Sequence, residues 1–167
     1  MQPIPSTAEI LAYKALNRSV DETWVNWAVD MMMAGFETES LVILAGIMPF
    51  YNQFELKVLT DKVFDELNLD YSDAHKAVKK CASFLIDQCL KGEKNYFSVL
   101  GTLKNLCIEL DYDKELYDFY SLYFAKDDLM TTENQWYWDG ADRSNIDRII
   151  KEYFENWLVK NPLYFDV

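Results

Sequence analysis

SDAHKAVKKCASFLIDQCLKG, residues 72–92, decides the fold class. Ala74, Ala77, Val78, Cys81, Leu85 and Cys89 recur at steps of three and four, the stripe of one helix face. A strand needs alternation by two over a short run, and none is present here. Ser72 is the predicted N-cap and Gly92 the predicted stop, which makes this a long helix.

Working outward, the same signature repeats on both sides. Upstream, Ser6-x-x-Glu9 and Ser19-x-x-Glu22 read as capping boxes, in which hydroxyl and carboxylate satisfy reciprocal backbone donors. The second leads into Trp24, Trp27, Ala28 and Met31 on one side, with Gly35 as a stop. A short helix from about Glu39 puts Leu41, Leu44, Ala45 and Met48 inward and ends at Pro49. Asn52-x-x-Glu55 opens another, with Phe54, Val58, Leu59, Val63 and Leu67 as its inner face. Downstream, residues 96–109 carry Leu100, Leu103, Leu106 and Cys107. Asp113 is expected to cap a helix bearing Leu116, Phe119, Tyr120 and Tyr123. Ser144-x-x-Asp147 precedes Ile146, Ile149, Ile150, Tyr153, Trp157 and Leu158.

These segments predict an all-α chain, a compact bundle of about eight helices forming one domain over residues 1–167. Short connections imply mostly antiparallel neighbours, and 5 glycines with 4 prolines leave few turn residues for short strands. Leu69-Asp70-Tyr71-Ser72 echoes Leu110-Asp111-Tyr112-Asp113 at an offset of 41, a spacing that also suits HEAT-like helix pairs.

Cys81, Cys89 and Cys107 lie in apolar helical patterns and read as buried thiols of a reducing compartment. MQPIPSTAEI lacks the basic and apolar regions of a secretion signal, and the apolar run Leu41 to Tyr51 is too short for a bilayer. The expectation is therefore cytoplasmic, without membrane association.

The net charge of −12 is unevenly spread. Residues 105–142 hold 10 acids against Lys114 and Lys126, so two-thirds of the net charge lies in 38 residues. Such a field repels phosphates, which argues against direct nucleic-acid binding and in favour of a basic partner.

Catalytic constellations are not legible. His75 is the single histidine and stands in the first turn of its helix, with no nucleophile in a strained glycine turn nearby. There is no CxxC for zinc, no Glu-x-x-His for a di-iron bundle and no glycine-rich phosphate loop, so no cofactor is expected. Glu115-x-x-Asp118 and Glu152-x-x-Glu155 leave open a magnesium-dependent nucleotide phosphohydrolase, although helical pyrophosphatases place their ExxE pair first. Acids at 139, 142 and 147 do not match the EF-hand spacing. Met31-Met32-Met33 reads as core filling, because helical geometry turns only one or two of them the same way.

The same acidic segment holds 9 of the chain's 26 aromatics. Glu115, Tyr117 and Asp118 are expected on the solvent side of their helix, followed by polar residues from Lys126 to Gln135 that include Asp127 and Asp128. NQWYWDGADRSNID, residues 134–147, then brings Trp136, Tyr137, Trp138, Asp139 and Asp142. If extended, this stretch points both tryptophans one way and the tyrosine the other, one side packing on Tyr153 and Trp157. Carboxylates around amphipathic rings suit an interface for a basic protein, with acids steering encounter and Tyr and Trp as anchors. The candidate contact residues are Glu115, Tyr117, Asp118, Asp127, Asp128, Trp136, Trp138, Asp139 and Asp142.

Over Trp24-x-x-Trp27-Ala28 to Leu44-Ala45-Gly46 the chain resembles small acidic bacterial proteins of unknown role, some of which are toxin-immunity proteins. The resemblance implies a non-enzymatic inhibitor that occludes a basic toxin. A homodimeric or scaffold role that buries the aromatic patch in a second copy is the non-catalytic alternative.

Overall fold

A computed structural model describes residues 1–163. Among these residues it contains eight α-helices and no strand, so the chain is all-α. They are α1 (Thr7–Ala15), α2 (Glu22–Met33), α3 (Glu39–Ala45), α4 (Gln53–Glu66), α5 (Ala74–Leu90), α6 (Tyr96–Glu109), α7 (Tyr117–Thr131) and α8 (Ile146–Lys160). By backbone contacts the chain divides into two compact units, Met1–Cys81 and Ala82–Leu163, and the division falls within α5. None of the described helices is long and apolar enough to cross a membrane.

In the first unit the core gathers on Phe64, whose ring centroid lies 6.4 Å from Trp24, 6.1 Å from Trp27 and 5.3 Å from Tyr71. Trp24, Trp27, Ala28 and Met31 form the buried stripe of α2, as their spacing predicts. Met32 is half-buried and Met33 exposed, so the methionine run is split by helical rotation. Thr7 is buried here and accepts a hydrogen bond from the Trp27 indole at 3.0 Å, which satisfies a donor that would otherwise be stranded.

Three inward assignments fail in this unit. Met48, Phe54 and Val58 are exposed, and α4 instead buries Leu56, Thr60, Val63 and Phe64. The reason is Thr60. Its hydroxyl bonds back to the Leu56 carbonyl at 2.8 Å, so a polar residue sits inside at little cost and the buried stripe is turned around the helix.

Caps also differ from expectation. Ser6 flanks α1 without a side-chain cap bond, and Glu9 instead accepts from the Tyr13 hydroxyl. Asp21, not Ser19, caps α2 through the Thr23 N–H. The shift follows from Val20, which is buried and held by Gln53: its N–H donates to Gln53 Oε1 at 2.7 Å and its carbonyl accepts from Nε2 at 2.8 Å. Asp73, not Ser72, receives the Lys76 N–H at the start of α5. Asn52 caps α4 as predicted, accepting from Phe54 and Glu55.

Five of the eight helices, α1, α2, α4, α5 and α6, end with one device. At Asn17, Gly35, Asn68, Gly92 and Asp111 a left-handed residue bonds three residues back and its successor bonds five back, the Schellman pattern. Asn68 precedes the first Leu-Asp-Tyr, whereas Asp111 lies inside the second, so the two copies occupy different backbone positions. The echo at 41 is therefore out of register with the helices, because α6 and α7 begin 43 residues after α4 and α5.

From Cys81 to Ile86 every residue of α5 is buried, so the middle of this helix is more than striped. In the second unit Phe119 is the central ring, 4.8 Å from Trp157, 5.4 Å from Tyr153 and 6.1 Å from Phe154. Ser83 of α5 accepts the Trp157 indole N–H at 3.1 Å and donates to the Asn161 carbonyl at 2.7 Å. α6 and α7 run antiparallel: Phe97 near the start of α6 stacks on Tyr123, while Cys107 near its end reaches the Asp113 carbonyl before α7. A Cβ on Gly101 would lie 3.4 Å from the Tyr123 ring, in van der Waals contact with it.

Candidate functional site

α7 is built with two stripes. Phe119, Leu122, Ala125 and Leu129 face the core, while Tyr117, Tyr120 and Phe124 recur at steps of three and four on another face. The helix runs to Thr131, longer than the polar stretch from Lys126 suggested, because Leu129 gives its last turn a buried anchor. Asp113 does not cap it. Its carboxylate takes the Glu115 N–H at 2.9 Å in a turn, and the helix begins four residues later.

The second stripe is part of a continuous row of rings. Tyr112 meets Tyr120 at 5.7 Å, Tyr120 meets Phe124 at 4.8 Å, and Phe124 stacks on Tyr137 at 5.4 Å. Tyr117 stacks on Tyr120 at 5.2 Å, and Tyr123 joins through Phe124 at 5.2 Å. Tyr112, Tyr117 and Tyr137 are each close to half exposed, so the row presents ring surface to solvent. Burial, and then the neighbouring Tyr112, Tyr117 and Tyr137, hold the Tyr120 phenol above its ordinary pKa. Lys104 lies over Tyr123 with its ammonium 4.3 Å from the centroid.

The loop after α7 is organised by Gln135. Its Oε1 accepts from the N–H groups of Tyr137 and Trp138, each at 2.8 Å. Its Nε2 donates to the Trp138 carbonyl at 2.5 Å and the Ala141 carbonyl at 3.0 Å. The segment is thus curled and not extended, and the two tryptophans do not share a side. Trp138 packs edge-on against Tyr153 at 5.8 Å, whereas Trp136 is 90% exposed. Tyr137, expected opposite the tryptophans, lies on the ring row.

The nine predicted contact residues fall into separate groups. Tyr117 is in the row itself, and Asp127 and Asp128 follow Phe124 by one helical turn, bordering its far end. Trp136 is next in sequence to Tyr137. Asp118 belongs elsewhere: it accepts the Tyr153 hydroxyl at 2.9 Å, and Tyr153 in turn packs on Trp138. Burial and that carboxylate push the Tyr153 phenol well above its ordinary pKa. Asp139 and Glu115 are exposed, the latter in the turn before α7.

Asp142 is a loop-forming residue. One oxygen accepts from the Ser144 hydroxyl at 2.5 Å, the Ser144 N–H at 2.8 Å and the Asn145 N–H at 3.1 Å. The Ser144 bonds, then that from Asn145, hold its carboxyl below the usual range. The Ser144–Asp147 capping box is not formed, because α8 begins only at Ile146 and Asp147 pairs with Lys126 at 2.8 Å. Tyr112, Tyr120, Phe124 and Tyr137 were not among the predicted residues, although the steps of three and four at 117, 120 and 124 signal a second stripe.

The carboxylate pairs do not assemble a metal site. Glu115 lies outside the helix that holds Asp118, and Glu152 is bridged by Arg148 at 3.1 Å. Among the described residues no three His, Cys, Asp or Glu side chains converge. All three cysteines are buried and outside disulfides, and burial pushes the Cys89 thiol up to about 11, far from a reactive thiolate. The chain matches no family model, and no curated protein or solved structure is similar to it.

Proposed function

We propose that the α7 face of the second unit binds a basic protein, and that the chain acts by sequestering that partner, in the manner of an immunity protein occluding a toxin. The carrying observation is the partly exposed ring row from Tyr112 to Tyr137, with Asp127 and Asp128 one turn after Phe124 along α7 and the exposed Trp136 next in sequence to Tyr137. Aromatic side chains give large contact area at low entropic cost and dominate interface energetics. Exposed carboxylates add attraction at a distance and reject acidic competitors. Asp118 and Asp142 stand apart from this face, each holding a hydrogen bond elsewhere in the unit.

The test is capture on the immobilised chain at low salt, comparing wild type with a Tyr117→Ala, Trp136→Ala variant. Support is a single basic protein that the wild type retains, the variant loses, and high salt releases. For the immunity reading, that protein must also arrest growth when expressed alone and not when co-expressed with this chain. Equal retention by the variant removes the aromatic face from the interaction. An acidic captured protein overturns the charge argument.

A further inference from the structure

The second unit carries a formal charge of −6 over Ala82–Leu163, yet one of its concavities has the opposite sign. A cleft of about 650 Å³ is lined by Lys94, Lys126 and Lys151 with a single acid, Asp147, a formal balance of +2. Ligand pockets commonly fall between roughly 300 and 1,000 Å³. Lys126 is anchored by Asp147 at 2.8 Å. Lys151 is exposed and lies 4.0 Å from Glu155, whose charge also acts on Tyr96 and reduces the local excess of positive charge without cancelling it. Lys94 is exposed as well.

Two rings, Tyr96 and Phe97, also line the cleft. Tyr96 is backed by Phe154 at 5.4 Å with 16° between planes, and Phe97 by Tyr123 at 4.8 Å with 7°. Each ring is therefore fixed before any ligand arrives, which lowers the entropic cost of stacking against it.

We propose that this cleft binds a phosphate monoester joined to a planar ring, the chemistry of a nucleoside monophosphate. A phosphate monoester carries close to two negative charges at neutral pH, its second pKa being about 6, and so is attracted strongly by the three lysines. A carboxylate, with a single charge, would be held less strongly. Lys94 and Lys151 meet the phosphate as point charges, and Tyr96 or Phe97 receives the ring. The cleft adjoins the ring row, because Phe97 stacks on Tyr123, yet its lysines and Tyr96 lie outside the residues assigned to protein binding.

The experiment is an amide-resolved NMR titration of the full chain with adenosine 5′-monophosphate, adenosine and inorganic phosphate, on wild type and on Lys94→Gln, Lys151→Gln. The monophosphate is expected to shift the amides of Lys94 to Phe97 together with Lys126 and Asp147. Adenosine and phosphate alone are expected to bind at least about tenfold more weakly, and the variant to lose about tenfold in affinity for the monophosphate. Both lysines are exposed, so the variant's spectrum in the absence of probe reports an intact fold. Shifts mapped outside the cleft, phosphate binding as tightly as the monophosphate, or an unchanged affinity in a folded variant each overturn the proposal. A variant that does not fold is replaced by Lys94→Gln alone, with the same readouts and a loss of a few-fold expected.

Discussion

Gln135 binds both backbone polar groups of Trp138, accepting its N–H at 2.8 Å and donating to its carbonyl at 2.5 Å. One side chain thereby supplies Trp138 with the pair of bonds that a neighbouring strand would give. The same amide also holds Tyr137 and Ala141, so the loop's ring positions depend on it. Gln135→Ala should destabilise the second unit by about 1–2 kcal/mol and lower the melting temperature by about 3 °C or more. Gln135→Glu keeps the accepting oxygens, loses the donors and should fall between. Melts of Gln135→Ala that overlay the wild type would show that the loop is held by its rings alone.

The loop's other organiser responds to acid. The folded-state pKa of Asp142 lies below the unfolded value, so the ionised form is favoured by folding. Its contribution is fully present above about pH 4, the ordinary carboxylate value, and is lost as pH falls through the lower folded value. Denaturant unfolding should show Asp142→Asn weaker than wild type at neutral pH. The gap should close in the acid range, and a gap that widens there contradicts the assignment.

Trp136 is 90% exposed, while Trp24, Trp27 and Trp157 are buried and Trp138 is half-buried. Acrylamide should therefore quench a fraction of the tryptophan emission that disappears in Trp136→Phe. Stability should stay within about 0.5 kcal/mol of wild type, since a solvated side chain is being exchanged. An unchanged accessible fraction would place this indole inside the fold.

In the first unit, Thr7→Val removes the oxygen that accepts the Trp27 indole N–H at 3.0 Å while preserving shape. Stranding a buried donor costs about 1–3 kcal/mol, and Thr7→Ser should recover most of it. Chemical denaturation of the three proteins checks the order wild type, Ser, Val.

The helices were legible because their buried stripes are long: α2 buries the four residues its spacing names, and α6 begins and ends at its predicted limits. Gly35 and Gly92 were legible as stops because a left-handed residue is needed there. Caps were not. Several chain stretches offer two or three acceptors in a row, and packing picks among them, as Gln53 does by holding Val20 one residue before Asp21. In the candidate face, Tyr117 was legible as an exposed aromatic, whereas the exposure of Trp136 apart from Trp138 was not. Its ring row was hidden because Tyr112 and Tyr137 reach α7 from outside the helix, through turns no periodicity describes. Asp118 and Asp142 were misassigned for a related reason, since a count of carboxylates carries no information about which already have donors.

The exposed side chains of the first unit carry a consequence for the protein in bulk. Phe50, Phe54, Met48 and Val58 stand in solvent on a chain of net charge −12. Mutual repulsion between like-charged molecules holds such apolar surfaces apart, and added electrolyte weakens that repulsion while leaving the apolar attraction in place. Ionic strength therefore acts with opposite sign on the two kinds of encounter. It loosens the grip on a basic partner and draws copies of this chain together, so solubility should decline with sulfate well before the fold is disturbed.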